Sequence, residues 1–329
     1  MIMPTPISQA ATPVTQRPST RLRRHLAGGQ VLFIPGCFNA MSARVLERAR
    51  FPVLYTGGYA ASLSLAGLPD AGLMTMTEML AHVRYITGAV QAPLIADADD
   101  GYGNAVNVVR TVREYIAAGV AGIHLEDQVS PKRCGHVAGK SVVPLDEAVG
   151  KFRAADAIRR ELDPDFLLVA RTDARGAHKG NLDDAIARGN AYLAAGADMV
   201  FVEGPVSEEE VSRICAEVRG PIFYNMTGVS PRFTLDRMQE LGISICISSL
   251  TLVRASLMAM HDIAARLREE GPMAEKELMV RFDTHPVGNL HAFAGFDEVR
   301  RLEALYLPQE AQERYLDSIG HVPRSGGSA

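Results

Sequence analysis

The sequence predicts an α/β fold, a (β/α)8 barrel of the TIM type with a C-terminal helical extension. Two observations predict it. From about residue 30, short β-rich apolar runs alternate with longer stretches of helical spacing, and eight such cycles follow one another. The apolar runs are continuous, as expected for parallel strands covered on both faces. An open doubly wound sheet is the alternative, but the glycine-rich phosphate loop that such sheets carry after the first strand is missing.

The eight strands follow in chain order, and each precedes a helix candidate. They are VLFIPG (31–36), VLYTGG (53–58), PLIADAD (93–99), GIHLED (122–127), FLLVARTD (166–173), MVFVEG (199–204), PIFYNM (221–226) and ISICISS (243–249). Several helix candidates end at a glycine, which suits a helix C-terminus. We expect a disordered tail at residues 1–20, a catalytic barrel domain at 21–271, and a helical extension with a flexible tail at 272–329.

Charge and composition restrict the kinds of partner. The 329 residues contain 34 Lys and Arg against 38 Asp and Glu, so no basic surface for nucleic acid or an anionic membrane is expected. No apolar run approaches the roughly 18 to 20 residues that span a membrane. The four cysteines are widely spaced and form no CxxC pair, which is typical of a reducing compartment. We therefore expect a cytoplasmic protein that binds a small molecule.

Polar residues stand at the end of nearly every predicted strand. They are Thr56, Gly57, Gly58, Asp97, Asp99, Asp100, Glu126, Asp127, Arg171, Asp173, Glu203, Asn225, Ser248 and Ser249. A single ionisable residue at a strand end is most often a helix cap or a turn residue. Acids or arginine ending four strands in succession instead predict an active site, because barrel enzymes place theirs at the carboxyl ends of the strands.

The acidic residues predict a site for a hard metal ion. Asp97 and Asp99 lie two residues apart on one face of the third strand, and Glu126 ends the next strand. Oxygen ligands without a thiolate or imidazole cluster favour Mg²⁺, with Mn²⁺ as a possible substitute. Zinc is disfavoured because His124 and His136 have no regular ligand spacing with a cysteine. Asp100, at the turn itself, is expected to face solvent.

A polar segment after the fourth strand, PKRCGHVAGK (131–140), has the composition of a mobile active-site lid. It contains Cys134, whose neighbours Lys132 and Arg133 are expected to favour the thiolate. The other cysteines are expected to be small buried apolar residues. The segment is not a phosphate-binding P-loop, because only three residues separate Gly135 from Gly139 where that motif has four.

Five motifs together resemble the isocitrate lyase and phosphoenolpyruvate mutase superfamily. They are DADDGYGN, HLEDQ, PKRCGH, ARTDAR and FVEGP, they fall within roughly residues 30 to 270, and KRCGH is the most specific of them. The sequence is most similar to the branch that contains 2-methylisocitrate lyase, 2,3-dimethylmalate lyase, the petal-death type lyase/hydrolases and carboxyphosphonoenolpyruvate mutase. In that superfamily the eighth helix is exchanged between subunits of a tetramer, so the resemblance implies a homo-oligomer with a swapped helix.

The resemblance also implies a role for each matching residue. Thr56, Gly57 and Gly58 match the loop that binds a substrate carboxylate, where relatives usually have serine first. Asp70, Asp97, Asp99 and Glu126 match the acidic set around Mg²⁺, with Asp97 as direct ligand and the others acting partly through water. Arg171, Glu203 and Asn225 match residues that hold the substrate and its developing oxyanion. Cys134, Gly135 and His136 match the gating loop, whose cysteine is the proton donor.

These roles imply a Mg²⁺-dependent carbon–carbon lyase. Its substrate would be a substituted malate or a (methyl)isocitrate-like dicarboxylate, and one product a 2-oxo acid such as pyruvate. A cysteine thiol, with an ordinary pKa of about 8.5, is a suitable acid for the carbanion that this cleavage leaves. His136 either relays the proton or braces the loop. Tyr55 is a candidate for the general base that deprotonates the substrate hydroxyl.

Two departures from the superfamily pattern leave other reactions open. The segment NMTGVSP (225–231) lacks the glutamate that lyases commonly carry shortly after the asparagine. Ser249 precedes Leu250 where many relatives have Pro-Leu, and serine there resembles the oxaloacetate acetylhydrolase branch; alternatively, Ser249 only caps the following helix. Hydrolysis or decarboxylation of oxaloacetate, a phosphonomutase reaction of the carboxyphosphonoenolpyruvate type, and a non-catalytic binding barrel are the alternatives.

Overall fold

The computed structural model describes residues 16–313, 315 and 318–323. It contains eight parallel strands: β1 Leu32–Pro35, β2 Leu54–Thr56, β3 Leu94–Asp97, β4 Gly122–Glu126, β5 Leu167–Thr172, β6 Met199–Val202, β7 Ile222–Asn225 and β8 Ile243–Ser248. Each of the eight predicted runs contains one of them. The order around the sheet is β1-β8-β7-β6-β5-β4-β3-β2, and a parallel bridge between Gly36 and Tyr55 links the two end strands. The predicted (β/α)8 barrel is therefore confirmed.

Helices alternate with the strands, and further helices follow the last strand. They are α1 Pro18–Ala27, α2 Ala40–Arg48, α3 Gly58–Ala66, α4 Met76–Ala89, α5 Ala105–Ala117, α6 Leu145–Leu162, α7 Leu182–Ala194, α8 Glu208–Glu217, α9 Leu235–Leu241, α10 Thr251–Glu270, α11 Pro272–Asp283, α12 Leu290–Ala294, α13 Phe296–Tyr306 and α14 Gln309–Glu313. Side chains cap several of their N-termini, as Thr75 does for α4 and Asn104 for α5. Such caps each stabilise a helix by about 1 kcal/mol. The second cycle holds two helices, α3 and α4, and the loop between them carries Asp70.

The barrel interior is filled by rings and aliphatic side chains rather than by an open channel. The ring centroid of His124 lies 5.7 Å from that of Tyr55 and 5.7 Å from that of Phe201, which in turn lies 5.3 Å from Phe223. All four side chains are buried, and three of them belong to the same interior cluster as the aliphatic residues of β1, β3, β5 and β8. These packed rings form the floor beneath the carboxyl ends of the strands.

Helix α1 closes the opposite, amino-terminal end of the barrel. Its Leu22 is fully buried in the interior cluster, and the Ser19 and Thr20 hydroxyls donate to Asp163 (2.7 Å) and Asp165 (2.6 Å) just before β5. Residues 18–20 were expected to belong to a tail, but Pro18 suits the first turn of a helix and Leu22 draws that turn onto the barrel. The first fifteen residues of the predicted tail lie outside the described residues.

The described residues divide into two compact units, one ending at Ala255 and the other beginning at Ser256. The sequence-based boundary at 271/272 was placed at the end of α10, whereas the division falls inside that helix. In the described part of the second unit, the buried apolar side chains are Ala274 and Phe293. Its exposed ones include Met258, Met273, Met279, Val280, Leu290, Phe296, Leu305 and Tyr306. Within the described part of the chain, no helix has the length and apolar character needed to span a membrane.

Candidate active site

Asp97 is held rigidly at the end of β3. Its Oδ2 accepts the N–H of Gly58 at 2.8 Å, and its Oδ1 accepts the N–H of Asp99 at 2.9 Å. Burial alone would raise the pKa of Asp97, but nearby cations and the Gly58 N–H lower it to about 2. His124 is not one of these cations at neutral pH, because burial lowers its pKa to about 4. Asp97 is therefore an ionised carboxylate whose charge is compensated by Lys132 and Arg171.

Lys132 joins the acidic residues instead of facing the thiol. Its buried ammonium forms ion pairs with Asp70 and, at 2.6 Å, with Asp99 Oδ1. Asp99 itself has a left-handed backbone (φ 46°), which turns its side chain toward this group. Burial raises the pKa of Asp99 to about 6 even though Lys132 opposes the shift. The prediction that Lys132 tunes Cys134 is wrong, since its charge is used by these carboxylates.

Gly58 leaves room for these groups to meet. A Cβ at this position would lie 3.1 Å from Asp97 Oδ2, 3.1 Å from Asp99 Oδ1 and 3.2 Å from Lys132 Nζ. Any side chain here would push into the three charged groups. The glycine therefore keeps one small polar space open at the start of α3.

Glu126 is the group that most needs a further partner. It is fully buried at the end of β4, and neither of its oxygens accepts a well-aligned hydrogen bond among the described residues, although Arg171 Nη1 lies 3.0 Å from Oε2. Burial raises its pKa well above the ordinary range despite Arg171. A carboxylate in this position fits a cation or its bound water as an additional partner.

The donor set fits a hard cation held by few direct protein ligands. Among the described residues, no three His, Cys, Asp or Glu side chains are close enough together to hold a metal directly. Mg²⁺ commonly binds through one or two carboxylates and several waters, so Asp97 with Glu126 is a suitable pair. Asp70 and Asp99, also predicted to surround the metal, are instead engaged by Lys132.

Arg171 lies between three carboxylates. Its Nε and Nη2 bond to the two oxygens of Asp173 at 2.9 and 3.1 Å, Nη1 faces Glu126, and Nη2 is 3.6 Å from Glu203 Oε2. Burial alone would lower the pKa of Arg171, but the carboxylates raise it well above its ordinary value. The guanidinium is thus a permanent, oriented positive charge inside the barrel mouth.

Asp127 supports this arrangement from behind, a role that the sequence did not reveal. Its carboxylate accepts hydrogen bonds from the Thr172 hydroxyl (2.7 Å), the Asp173 N–H (3.0 Å) and the Tyr192 hydroxyl (2.7 Å). These bonds fix the end of β5, where Asp173 orients Arg171. In the sequence, Asp127 appears only as a polar residue at a strand end, next to Glu126 and within the HLEDQ motif, without a sign of this role.

The lid loop, residues 129–141, is fastened at its base and along its length. Gln128 forms an antiparallel bridge with Val142, and its side-chain amide bonds the backbone N–H (2.9 Å) and carbonyl (2.8 Å) of Arg133. Lys140 donates to the carbonyl of Gly135 and lies 3.7 Å from Asp173 Oδ1. The loop is therefore docked on the barrel mouth.

Gly135 lies directly on the Arg171 and Glu203 side chains. A Cβ at Gly135 would collide with Glu203 Cγ and would lie 2.6 Å from Arg171 Nη2. The prediction that Gly135 belongs to the site is consistent with this contact. It also explains why a residue without a side chain is needed there.

Cys134 is half-buried and protonated. Its N–H donates to the Asp70 carbonyl at 2.9 Å, which ties the loop to the segment between α3 and α4. Burial raises the pKa of the thiol above its ordinary value, with only partial opposition from the His136 N–H that bonds to it. The expectation of a stabilised thiolate is therefore wrong: the group is a thiol at neutral pH, which is the form that can donate a proton.

His136, Glu203 and Asn225 form a polar group beside Arg171. His136 Nε2 lies 3.2 Å from Glu203 Oε1, and Asn225 Nδ2 lies 3.4 Å from Glu203 Oε2. Within the described part of the chain, His136 Nδ1 and Asn225 Oδ1 are buried without a hydrogen-bond partner. Asn225 Oδ1 is suited to accept a hydrogen bond from a ligand hydroxyl, and His136 Nδ1 can donate or accept according to its tautomer.

Tyr55 lies beneath this site. Its hydroxyl is 2.9 Å from His124 Nε2 and would lie 2.9 Å from a Cβ on Gly57. Burial raises its pKa well above the ordinary value, and Asp97 adds to the shift. A phenol that is harder to ionise, placed behind Gly57, is a poor general base. His124, for which the sequence suggested only a disfavoured zinc site, is the hydrogen-bond partner of the Tyr55 hydroxyl among the packed rings.

The remaining predicted residues stand at the edges of the site. Thr56 is buried, with its hydroxyl 3.5 Å from His82 Nε2 on α4. Ser249 directly follows β8, and its hydroxyl lies 3.2 Å from that of Thr227. Asp100 does not face solvent as expected. It is buried, and its Oδ1 accepts the Tyr102 N–H at 2.8 Å, because the turn folds back over the barrel.

Comparison with known proteins places this geometry among enzymes. A model of the family described as phosphoenolpyruvate phosphomutase matches residues 22–268. 2,3-Dimethylmalate lyase of Eubacterium barkeri is 41% identical over 291 residues, which cover 88% of this chain and 98% of that protein.

Two solved structures show how widely the reactions of such relatives vary. Oxaloacetate acetylhydrolase in complex with the inhibitor 3,3-difluorooxalacetate has a TM-score of 0.79 and 33% identity, covering 87% of this chain and 96% of that one. Phosphonopyruvate hydrolase in complex with oxalate and Mg²⁺ has a TM-score of 0.79 and 31% identity, covering 89% of this chain and all of that one, 100%.

Proposed function

We propose that this chain, which belongs to the phosphoenolpyruvate phosphomutase family within the phosphoenolpyruvate mutase/isocitrate lyase superfamily, is a Mg²⁺-dependent carbon–carbon lyase. Its substrate is a substituted malate or (methyl)isocitrate-like dicarboxylate, and one product is a 2-oxo acid such as pyruvate. The observation that carries the proposal is the lid loop, which brings a protonated Cys134 to the Arg171–Glu203 pair through Gly135. Similarity to a dimethylmalate lyase over most of both chains supports the same reaction class.

Asp97 and Glu126 would hold the divalent cation, with Asp97 as the direct ligand. When bound, the cation would polarise the oxygens of the substrate's 2-oxy carboxylate and stabilise charge that develops on them. The complex of a related hydrolase with oxalate and Mg²⁺ supports this choice of metal. Mn²⁺, with the same ligand preferences, is expected to substitute.

The protein's own groups orient the dicarboxylate and protect the reaction. Gly57 caps the N-terminus of α3, whose dipole favours a substrate carboxylate at Thr56–Gly58. Arg171 neutralises negative charge on the reacting part of the substrate. Asn225 Oδ1 accepts a hydrogen bond from a hydroxyl of the substrate and His136 Nδ1 bonds a further polar group of it, while the docked lid loop excludes water.

Cys134 then protonates the carbon that leaves as a carbanion. The C2 hydroxyl gives its proton to a base and becomes the carbonyl of the 2-oxo acid as the bond between C2 and C3 breaks. The electron pair of that bond stays on C3 and takes the thiol proton, and the Cys134 thiolate that remains regains a proton before the next turnover. The raised pKa of Cys134 ensures that the proton is present before cleavage. His136, whose backbone N–H bonds to the thiol and whose ring lies on Glu203, braces this arrangement.

Hydrolysis of oxaloacetate to oxalate and acetate is the second candidate. The hydroxyls of Ser249 and Thr227, 3.2 Å apart at the end of β8, support it, because together they can both donate to and accept from a hydrated carbonyl. The similarity to oxaloacetate acetylhydrolase supports it as well. If Ser249 only caps α10, replacing it would not change which products are formed.

One assay separates these candidates. The purified protein with Mg²⁺ is incubated with 2-methylisocitrate, 2,3-dimethylmalate and oxaloacetate, and 2-oxo acids, oxalate and acetate are quantified with and without EDTA. We expect EDTA-sensitive release of a 2-oxo acid from one of the first two. Oxalate from oxaloacetate, lost in Ser249→Ala, would favour the hydrolase. No turnover of any of the three would contradict both.

We also propose that the protein is a cytoplasmic homotetramer in which α10 is exchanged between subunits. Support comes from the unit that begins at Ser256, where Met258, Leu305 and Tyr306 are more than half exposed at 67%, 60% and 79%. A second copy of this chain would bury these side chains. Exposed apolar surfaces of this kind are typical of subunit interfaces.

A further inference from the structure

We propose that the Lys132 ammonium, which pairs with Asp70 and Asp99, competes electrostatically with a divalent cation bound beside Asp97, so that cation binding and docking of the lid loop oppose each other. The inference rests on the proposed function only in taking a divalent cation to bind beside Asp97. The inference adds a mechanism by which cation binding controls when the lid loop can close the site. Lys132 is a positioning residue in this scheme, not the proton donor.

The Lys132 ammonium lies among the acidic side chains of the site. The Lys132 ammonium is buried, forms ion pairs with Asp70 and Asp99, and shares the space left by Gly58 with Asp97 Oδ2. A second lysine of the same loop, Lys140, is also buried, but it contacts the Gly135 carbonyl and Asp173 instead. Lys132 is therefore the lid-loop residue that meets the acidic group directly.

A divalent cation beside Asp97 and the Lys132 ammonium repel each other strongly, because neither is screened by bulk water. The ammonium thus weakens cation binding, and by thermodynamic linkage the cation weakens docking of Lys132 by the same factor. Linked sites in proteins typically show factors of about 5 to 150. The structure with Lys132 docked is accordingly the state that a bound cation disfavours.

A dicarboxylate substrate reverses this effect. Together, a divalent cation and a doubly charged anion add no net charge to the site, so Lys132 can return to Asp70 and Asp99 once both are bound. Cys134 is two residues from Lys132 and is tied to the Asp70 carbonyl, so redocking of the ammonium also returns the thiol to the mouth. The expected order is cation first, dicarboxylate second and lid loop last.

Mn²⁺ binding measured by electron paramagnetic resonance tests the competition without any turnover. The wild type is compared with Lys132→Met, Lys132→Gln and Arg133→Met, the last of which removes the same charge from an exposed neighbour. We expect both Lys132 variants to bind Mn²⁺ at least about 10-fold more tightly than wild type and Arg133→Met to bind within about twofold of it. Thermal unfolding verifies that each variant is folded.

The outcomes separate this inference from the proposed function. Equal or weaker Mn²⁺ binding by folded Lys132 variants overturns the competition while leaving the lyase proposal standing. Failure of the wild type and of both Lys132 variants to bind Mn²⁺ overturns the competition and the metal dependence together. Binding by the Lys132 variants alone would be the extreme form of the expected result.

Hydrogen exchange of the lid-loop amides, residues 129–141, tests the coupling to docking. In wild type we expect Mg²⁺ alone to accelerate exchange several-fold and Mg²⁺ with oxalate to slow it again. In Lys132→Met, Mg²⁺ should have no such effect. In Lys140→Met, the ion pairs of Lys132 with Asp70 and Asp99 are kept, so the acceleration by Mg²⁺ should persist. Unchanged exchange in wild type on adding Mg²⁺ would overturn the coupling.

Discussion

Arg171 and Asp173, two residues apart at the end of β5, form a two-point ion pair with both bonds between 2.9 and 3.1 Å. This pairing uses Nε and one edge of the guanidinium and leaves Nη1 directed at Glu126. The Asp173 N–H is in turn held by Asp127. The direction of the positive charge in the barrel mouth is thus fixed by backbone and side-chain bonds that no substrate needs to form.

Replacing Asp173 with asparagine should release Arg171. The guanidinium would lose the carboxylate that holds it at two points, one of its three charged partners, and breaking such a buried pair typically destabilises a fold by about 3 to 5 kcal/mol. We expect a lower urea midpoint and a fall in kcat/KM of at least about 100-fold. Asp184→Asn is the control, because Asp184 pairs with Arg188 at a half-exposed site. Similar losses in both variants would contradict a specific role for Asp173.

Cys134→Ser should reduce turnover by about 100-fold or more, because a serine hydroxyl is a far weaker acid than a thiol of the same shape. Binding of Mg²⁺ with oxalate, measured by calorimetry, should be preserved. Cys215→Ser, a half-buried cysteine on α8, is the matched control and should be nearly neutral. Near-normal turnover in Cys134→Ser would argue for a reaction that leaves no carbanion for this thiol to protonate.

Tyr55→Phe should retain turnover within about tenfold of wild type. The Tyr55 hydroxyl bonds His124 inside the floor, so its loss should lower the free energy of unfolding by about 1 kcal/mol. A residue acting as general base would instead contribute about 100- to 10,000-fold to the rate. A fall of that size, with urea stability nearly unchanged, would restore Tyr55 as the base.

His82 makes stability depend on pH. Burial lowers its pKa from 6.5 to about 4, so between these values the unfolded chain binds a proton that the folded chain does not. Stability is therefore full above pH 6.5 and falls as the pH approaches 4, by on the order of 3 kcal/mol for a shift of this size. Urea unfolding at pH 7, 5.5 and 4.5 should show the decline, and His82→Gln should reduce it.

The pH dependence should not vanish in His82→Gln. His124 is also buried, with a pKa lowered to about 4, and it destabilises the fold over the same range. A decline identical in wild type and His82→Gln would mean that His82 becomes protonated in the folded protein without penalty.

Light scattering at micromolar concentration should give the mass of a homotetramer. A double substitution of exposed apolar residues, Leu305→Glu with Tyr306→Glu, should shift the mass toward smaller species, since it places charge on the surface that a second copy would cover. The matched control is Tyr85→Glu, an exposed tyrosine on α4 of the first unit. A monomeric wild type would contradict the proposed assembly.

The sequence predicted the strands better than the contacts of the site. All eight strands could be found because buried parallel strands leave a continuous apolar signal, and their polar ends could be assigned to one face by the rule for barrels. Lys132 was misassigned because its neighbour in sequence is Cys134, whereas its partners, Asp70 and Asp99, come from other loops. Ion pairing over such sequence distances depends on the folded geometry.

Burial is the other quantity that the sequence did not reveal. Cys134 between two basic neighbours looked like a thiolate, yet burial raises the pKa of the thiol and Lys132 pairs with Asp70 and Asp99 instead. Asp100 looked exposed because it lies in a turn, but that turn folds inward. His124 and Asp127 fall within the HLEDQ motif, but the motif does not show their roles, which lie in hydrogen bonds with β2, β5 and α7.

The packed rings of His124, Phe201 and Phe223 fill the described barrel interior beneath the site, so we expect molecules to enter and leave on the side of the lid loop. A cleavage reaction makes two products from one substrate, and both must depart through the same opening. The loop must lift before either product leaves, and the product nearer the opening leaves first while the other stays bound. The second product should therefore inhibit competitively against the substrate, and a more viscous solvent should slow turnover if loop opening limits the rate.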